Sequence, residues 1–442
     1  MRHALCLLLC FLPALLAHAE DPKPDRFTVA RCGTLLAVPG QPARQQQTLI
    51  IKNGLIESVR DGFPPFDAPA QATVEEVDLR EQFVLPGLID CHVHLTMEMT
   101  PAQRLRDVTD SDATTAFIAQ SYARKNLEAG FTTVRDLGTG RPTVILALRD
   151  AIRDGLAVGP RIIAAGHAIS ITGGHGDGNN GYRPGLLETS TPLDGIADGP
   201  DECMKAVRQQ VKLGADVIKV TATGGVLSIA SAGLAQQYFD DELAAIVKTA
   251  HSLLRKVAAH AHGVDGINAA IKAGVDSIEH GTYLDDESIA LFKQHNCYHV
   301  PTLLAVATVV ANAEKPGFYP AVVADKARLV GPRAMEMFRK SHDAGVKIAF
   351  GTDTGVSPHG ENAREFALMV KGGMTPTEAI HAATIVASQL LGLEKEIGTL
   401  EAGKAADLIA VRNDPTADVT ELERVTTVVK GGKVVKSATA PR

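Results

Sequence analysis

Two histidines one residue apart, His92 and His94, close the apolar run Val84-Leu-Pro-Gly-Leu-Ile-Asp-Cys-His-Val-His-Leu95. On an extended strand residues i and i+2 share a face, so both imidazoles point to one side. Neutral imidazoles bind divalent metals well, and a converging pair gives an ion a foothold. Alone, such a pair on a surface strand is merely solvated. Its meaning depends on what else reaches it. Four further residues fit: Lys219, His260, His280 and Asp353 each fall at or near the end of a β-type run, at 216–220, 256–260, 277–280 and 347–353.

Side chains from separate strands meet only if the topology gathers the strand ends. Strand candidates at 83–91, 131–136, 161–165, 216–220, 256–260, 277–280, 298–301 and 347–353 alternate with helical patterns. These helices are expected over 114–129, 142–156, 201–213, 240–255, 264–273, 285–295, 326–344 and 361–370. Gly130, Gly214, Gly274 and Gly345 stand where a helix stops before the next strand. Eight strand–helix units are the count of an α/β (β/α)8 TIM barrel, whose C-terminal strand ends form one rim. A doubly wound sheet is the competing arrangement. Six polar residues in strand order on one rim favour the barrel.

Lys219 is the odd member, because an ammonium repels cations. Beside metals a buried lysine can instead be neutral and combine with carbon dioxide, giving a carbamate that bridges two ions. Alternatively it pairs with an acid such as Asp216, although residues three apart on a strand face opposite sides.

The two ends of the chain differ from the middle. Short β-type runs fill 27–30, 34–38, 48–51 and 55–59, with the hairpin signal Asn53-Gly54 between the last two. Similar runs return at 407–411 and 425–435, with Gly431-Gly432 as a turn. Residues 27–82 and 398–436 are therefore expected to form one small β-sandwich domain, with the barrel over 83–397. Before them, Arg2 and His3 precede the apolar run 4–16, and Ala17-His-Ala19 follows. That is the pattern of a signal peptide (1–19) cleaved after about Ala19, which implies a secreted or periplasmic protein. The run is shorter than the roughly 20 residues a membrane span needs.

A net charge of -7 and a pI near 6.1 argue against a general nucleic-acid binder. Beyond the leader remain Cys32, Cys91, Cys203 and Cys297, far apart and without paired spacing, so no disulfide framework is implied.

With these residues in place, the sequence resembles the amidohydrolase superfamily. That superfamily carries His-x-His on the first strand, a carboxylated Lys on the fourth, His on the fifth and sixth, and Asp on the eighth. The motifs Thr172-Gly-Gly-His-Gly-Asp177, Thr223-Gly-Gly-Val-Leu-Ser228, Val257-Ala-Ala-His-Ala-His-Gly263 and Ile278-Glu-His-Gly281 are similar to its imidazolonepropionase-like group. This group includes Xaa-Pro dipeptidases, related metallo-carboxypeptidases and ochratoxin-hydrolysing amidohydrolases. Imidazolonepropionase itself lacks the bridging lysine, so Lys219 moves the chain to the binuclear metallopeptidase side.

The resemblance implies two divalent metal ions, zinc by default for nitrogen-rich ligands, and a Lys219 carboxylated at its amine by CO2. One ion would take His92, His94, the carbamate and Asp353, the other the carbamate, His260 and His280. A metal-bridged hydroxide would be the nucleophile, since metal binding lowers the pKa of water to about 7. Asp353 would be catalytic, moving the proton to the leaving amine. His175 in the glycine-rich loop, His262 beside His260, and Tyr238 are the candidate substrate-binding residues. The implied reaction releases the C-terminal amino acid of a dipeptide or N-acyl-L-amino acid, ochratoxin A included. The partner is thus a small molecule, without nucleic acid or membrane, and the enzyme is expected to be a homo-oligomer. Mononuclear deaminases or cyclic-amide hydrolases of the superfamily are the alternative enzymes. Deaminases, however, place an acid motif after the fifth strand where Gly263-Val-Asp follows here. A barrel kept only as an interaction module would have lost ligands, and all six are present.

Overall fold

In the computed structural model, residues 24–183, 185–229 and 233–437 are described. The expected signal peptide lies outside them. The N-terminal part supplies strands β1 (Arg26–Leu35), β2 (Arg44–Lys52), β3 (Leu55–Asp61) and β4 (Thr73–Pro86). The middle supplies β5 (Leu88–Val93), β6 (Phe131–Asp136), β7 (Arg161–Ala164), β8 (Ala168–Ile169), β9 (Val217–Thr221), β10 (Lys256–Ala261), β11 (Ser277–His280) and β12 (Tyr298–Val300). The C-terminal part adds β13 (Leu408–Val411), β14 (Thr427–Lys430) and β15 (Lys433–Lys436).

Both ends of the chain enter a single sheet ordered β15-β14-β13-β4-β1-β2-β3, in place of two separately bonded layers. Asn53 and Gly54 turn the β2–β3 hairpin with φ of 52° and 90°, the positive values a tight primed turn requires. Beyond β3, Ile56 and Gly54 exchange backbone bonds with Lys404 and Ala406, which curls the sheet toward its C-terminal strands. One apolar cluster, with Cys32, Leu49, Ile51, Val84, Leu408 and Val429 among its members, fills the curl. The two runs expected at 27–30 and 34–38 are one strand, β1. At Gly33 a side chain would collide with the Arg80 carbonyl, so only glycine lets β1 shift register against β4 there without breaking.

The middle of the chain is a mixed α/β structure with two parallel sheets, β5-β6-β7 and β8-β9-β10-β11-β12. β5, β6 and β9 are buried at every position, as strands covered on both faces must be. Helices include Asp112–Glu128, Pro142–Arg153, Gly199–Leu213, Asp240–Ser252 and Val264–Ala273. The glycines expected to stop helices do so: Gly130, Gly214, Gly274 and Gly345 all have positive φ.

Three expectations need correction. The strand foreseen at 83–91 is two strands. Pro86 ends β4 in the seven-stranded sheet, and Gly87 redirects the chain into β5. The run at 347–353 is not a regular strand. Its Lys347 and Phe350 carbonyls accept from the His299 and Cys91 amides, and the Asp353 amide donates to the His92 carbonyl, but Asp353 breaks the extended geometry at φ 58°. A helix at Leu303–Ala313 was not foreseen, because its sequence is apolar almost all round and shows no polar stripe.

A Cβ at Gly87 would lie 2.2 Å from Thr132 Oγ1 on the neighbouring strand. Gly87→Val is expected to cost about 1–3 kcal/mol in urea denaturation, the range for overpacking a tight interior. An unchanged midpoint would show that this crossing point tolerates a side chain.

Candidate active site

β5 delivers His92, 1% exposed, with His94 one residue beyond the strand. β9 carries Lys219, β10 carries His260, β11 ends at His280, and the irregular segment brings Asp353. The six residues are brought together. Ring centres stand 5.3 Å apart for His92 and His94, 5.2 Å for His92 and His280, and 4.7 Å for His260 and His280. Candidate ligand atoms of His92, His280 and Asp353 lie within 4.8 Å of one another, as do those of His260, His262 and His280.

Hydrogen bonds fix which nitrogen each ring offers. His92 Nδ1 donates to Glu279 Oε2 at 2.9 Å, and His94 Nδ1 donates to the Gly138 carbonyl at 2.8 Å. Their Nε2 atoms then face Asp353 Oδ1 at 3.5 and 3.2 Å. That oxygen is buried without a hydrogen-bond partner among the described residues. Unshared pairs facing a buried carboxylate oxygen call for a positive charge between them, which is the requirement of a metal site. Burial alone would lower His94, yet Asp353 outweighs it and raises the ring above its ordinary value, so a proton is also welcome at this point. Elsewhere burial wins. It pushes His92 down to about 4 and His260 and His280 far below their usual range, leaving neutral imidazoles with lone pairs to give. Asp353 stays ionised because His92 and His94 offset its burial.

Strain marks the same places. His280 has φ 74° and Asp353 φ 58°, left-handed values that cost a non-glycine residue on the order of 1–3 kcal/mol. Thr302, also left-handed at φ 50°, puts its hydroxyl 2.7 Å from His280 Nδ1.

Lys219 is 4% exposed, and no hydrogen bond or ion pair reaches its Nζ among the described residues. Burial pushes it down to about 8 against the pull of Glu279 and Asp353. Pairing with Asp216 does not occur, since that carboxylate accepts from Arg149 at 2.8 Å and from the Ala164 amide.

Of the candidate substrate residues, His175 stacks on His260 at 4.3 Å, and its Nδ1 is buried without a partner among the described residues. His262 stacks on His280 at 4.9 Å and bonds Thr282 through Nδ1. Tyr238 is not with them. Its ring packs in the cluster of Cys203, Val207 and Leu243, and its hydroxyl donates to the Ala197 carbonyl at 3.2 Å. The expected substrate contact from Tyr238 therefore gives way to a core position.

Sequence reasoning missed the partners. Glu279, fully buried, accepts from Arg135 Nη2 at 2.9 Å and from Ser277, while Arg135 also donates to the Cys91 carbonyl. Burial raises Glu279, but Arg135, then His92, hold it down to about 2. Strand alternation put Glu279 on the face opposite His280. The left-handed backbone at His280 brings both inward. Asp90, two residues before His92, accepts from the Thr352 amide and hydroxyl and from Asn362, holding the strand beside Asp353.

The fold thus gathers histidines, a lysine and an aspartate at or near the ends of parallel strands. Residues 83–435 match the model of the Amidohydrolase family, and the chain belongs to that family. An ochratoxinase of Aspergillus niger is 36% identical over 450 residues, covering 96% of this chain and 89% of that protein. A crystal structure of a Xaa-Pro dipeptidase with bound methionine in the active site aligns with a TM-score of 0.89 and 41% identity, covering 93% of this chain and 100% of that one. A prolidase complexed with N-methylphosphonate-L-proline aligns with a TM-score of 0.83 and 30% identity, covering 93% and 100%.

Removing the carboxylate that orients His92 is expected to weaken metal binding. Glu279→Gln should lower zinc affinity by about 10- to 100-fold in equilibrium dialysis, the usual effect of losing such a partner. Wild-type affinity in a folded variant would show that His92 does not need it.

Proposed function

We propose that this protein is a binuclear metal-dependent amide hydrolase that releases the C-terminal amino acid from dipeptides or N-acyl-L-amino acids. Its middle is read as a (β/α)8 barrel beginning at Leu88. Backbone bonds from β7 to the start of β9, from β12 to Lys347, and from Phe350 and Asp353 to β5 support that closure. The β-rich ends form the second domain, and the N-terminal leader is read as an export signal. Among the described residues no helix is long and apolar enough to cross a membrane.

The observation that carries the reading is Lys219, a buried amine that no hydrogen bond or ion pair reaches among the described residues, set among the histidines. Such an amine is poised to add carbon dioxide, losing a proton and becoming an anion between the two histidine groups. His92, His94 and Asp353 would hold one ion and His260 and His280 the other, with the Lys219 carbamate shared. His262 offers a further nitrogen on the second side. Bound divalent ions supply a water nucleophile at neutral pH and polarise the scissile carbonyl. The chain's own residues do the rest. Asp353, held anionic, takes the proton of the attacking water on its carboxylate and returns it to the leaving nitrogen. His262, buried, and His175, half-buried, are both held neutral and line the side proposed for the substrate. Glu279 and Arg135 keep His92 turned toward Asp353 throughout.

The substrate class follows the relatives, one named for ochratoxin and the others for dipeptides ending in proline. The test is hydrolysis of a panel of dipeptides and N-acyl-L-amino acids, ochratoxin A included, by native and metal-stripped protein. Stripping should abolish turnover, and zinc, manganese or cobalt should restore it. Lys219→Ala should lose at least about 100-fold in kcat/KM, a loss of about 2.7 kcal/mol or more of transition-state stabilisation. Full activity in the stripped protein or in that variant would overturn the proposal.

A further inference from the structure

Lys326 lies on the long helix Ala321–Asp343 and is only 9% exposed. Its Nζ donates to the carbonyls of Gly225 and Ser228, each at 2.6 Å. Both partners are neutral. Among the described residues no carboxylate pairs with it, and Ala230, Ser231 and Ala232, next in the sequence, carry none. An ammonium has three donors, so one remains after these two bonds. The other buried cations near the site are accounted for: Arg135 is neutralised by Glu279, and Lys219 belongs to the ligand cluster.

The loop that Lys326 grips is the wall of the site. A Cβ at Gly225 would lie 2.2 Å from the His175 ring, so that ring rests on the backbone whose carbonyl Lys326 holds. The His175 ring also stacks on His260 at 4.3 Å, and the Gly224 carbonyl stands 3.4 Å from His260 Nε2. After burial, the charges of Lys219 and Lys326 are among the causes that lower His175, and Lys326 acts on His262 as well. A buried charge without a counter-ion is costly, and it persists where a ligand completes the pair.

We propose that Lys326 is a specificity-determining residue that supplies the counter-charge for the free carboxylate of the leaving amino acid. This rests on the amide-hydrolase reading above. Among the substrates of that reading, the carboxylate is the anionic group on the leaving side. Long-range attraction through the His175 loop, with the third Nζ donor available, selects substrates that carry it.

The test compares two substrates that differ only in that charge, benzoylglycyl-L-phenylalanine and its C-terminal carboxamide, on metal-loaded enzyme. Wild type should prefer the acid. Lys326→Met keeps the stem and removes the charge. It should lose about 10- to 100-fold in kcat/KM on the acid, mainly through KM, the range for a hydrogen bond to a charged group. The carboxamide should change little, and Lys326→Arg should recover part of the preference. Equal losses on both substrates would mean that Lys326 only holds the loop, and no loss on the acid would mean that it does nothing there; either overturns the proposal. A second measurement does not depend on the variant folding. Phenylalanine should inhibit wild type more strongly than phenylalaninamide, and equal inhibition also overturns the proposal. Loaded wild type that is inert on both substrates and on the wider panel would instead sink the amide-hydrolase reading.

Discussion

The site depends on holding lone pairs against one another in a dry interior. His92 and His94 aim their Nε2 atoms at a buried Asp353 oxygen, an arrangement that repels itself unless a positive charge lies between. No side chain would adopt it freely. Glu279 and Gly138 hold the far nitrogens, Arg135 anchors Glu279, and Asp90 clamps the backbone before Asp353. The buried ion pair is thus less a source of stability than a means of fixing geometry. It turns an unfavourable cluster into one with a single remedy.

The remedy is reinforced by backbone strain. His280 and Asp353 occupy left-handed conformations at the places where their strand or segment ends, and each would relax if the packing around it loosened. Thr302 and His299 hold His280 from two sides, at its Nδ1 and at its carbonyl. Such strain is tolerated because the surrounding parallel strands are buried on both faces and cannot yield one residue at a time. Preorganisation here is a property of the sheet as much as of the ligands.

How much of this was legible in the sequence follows from what local patterns can encode. His92, His94, His260, His280 and Asp353 were readable because a polar residue at the end of an apolar strand is conspicuous. Lys219 was readable because a lysine is out of place there. Glu279 and Arg135 were not, since alternation assigned Glu279 to the other face and only the turn at His280 reverses it. Tyr238 looked equally suited to a ligand or to the core, and burial decided for the core. The break between β4 and β5 rested on Gly87, whose meaning comes from Thr132 on another strand. The helix at Leu303–Ala313 lacked the polar stripe that announces a helix. Contacts between distant segments are the part that spacing along one chain does not carry.

The curled sheet at the chain's ends has a consequence for how the molecule comes into being. β4 hydrogen-bonds to β13, so Pro86 waits for Leu408 while everything between them is synthesised. During that interval β4 presents an unpaired edge, the kind of template on which strands from other molecules can assemble. So distant a pairing also raises contact order and slows the search for the native topology. The birth of the molecule is therefore paced by its last strands, and a chain cut short at the ribosome would carry its histidine cluster without the seam that closes around the ends.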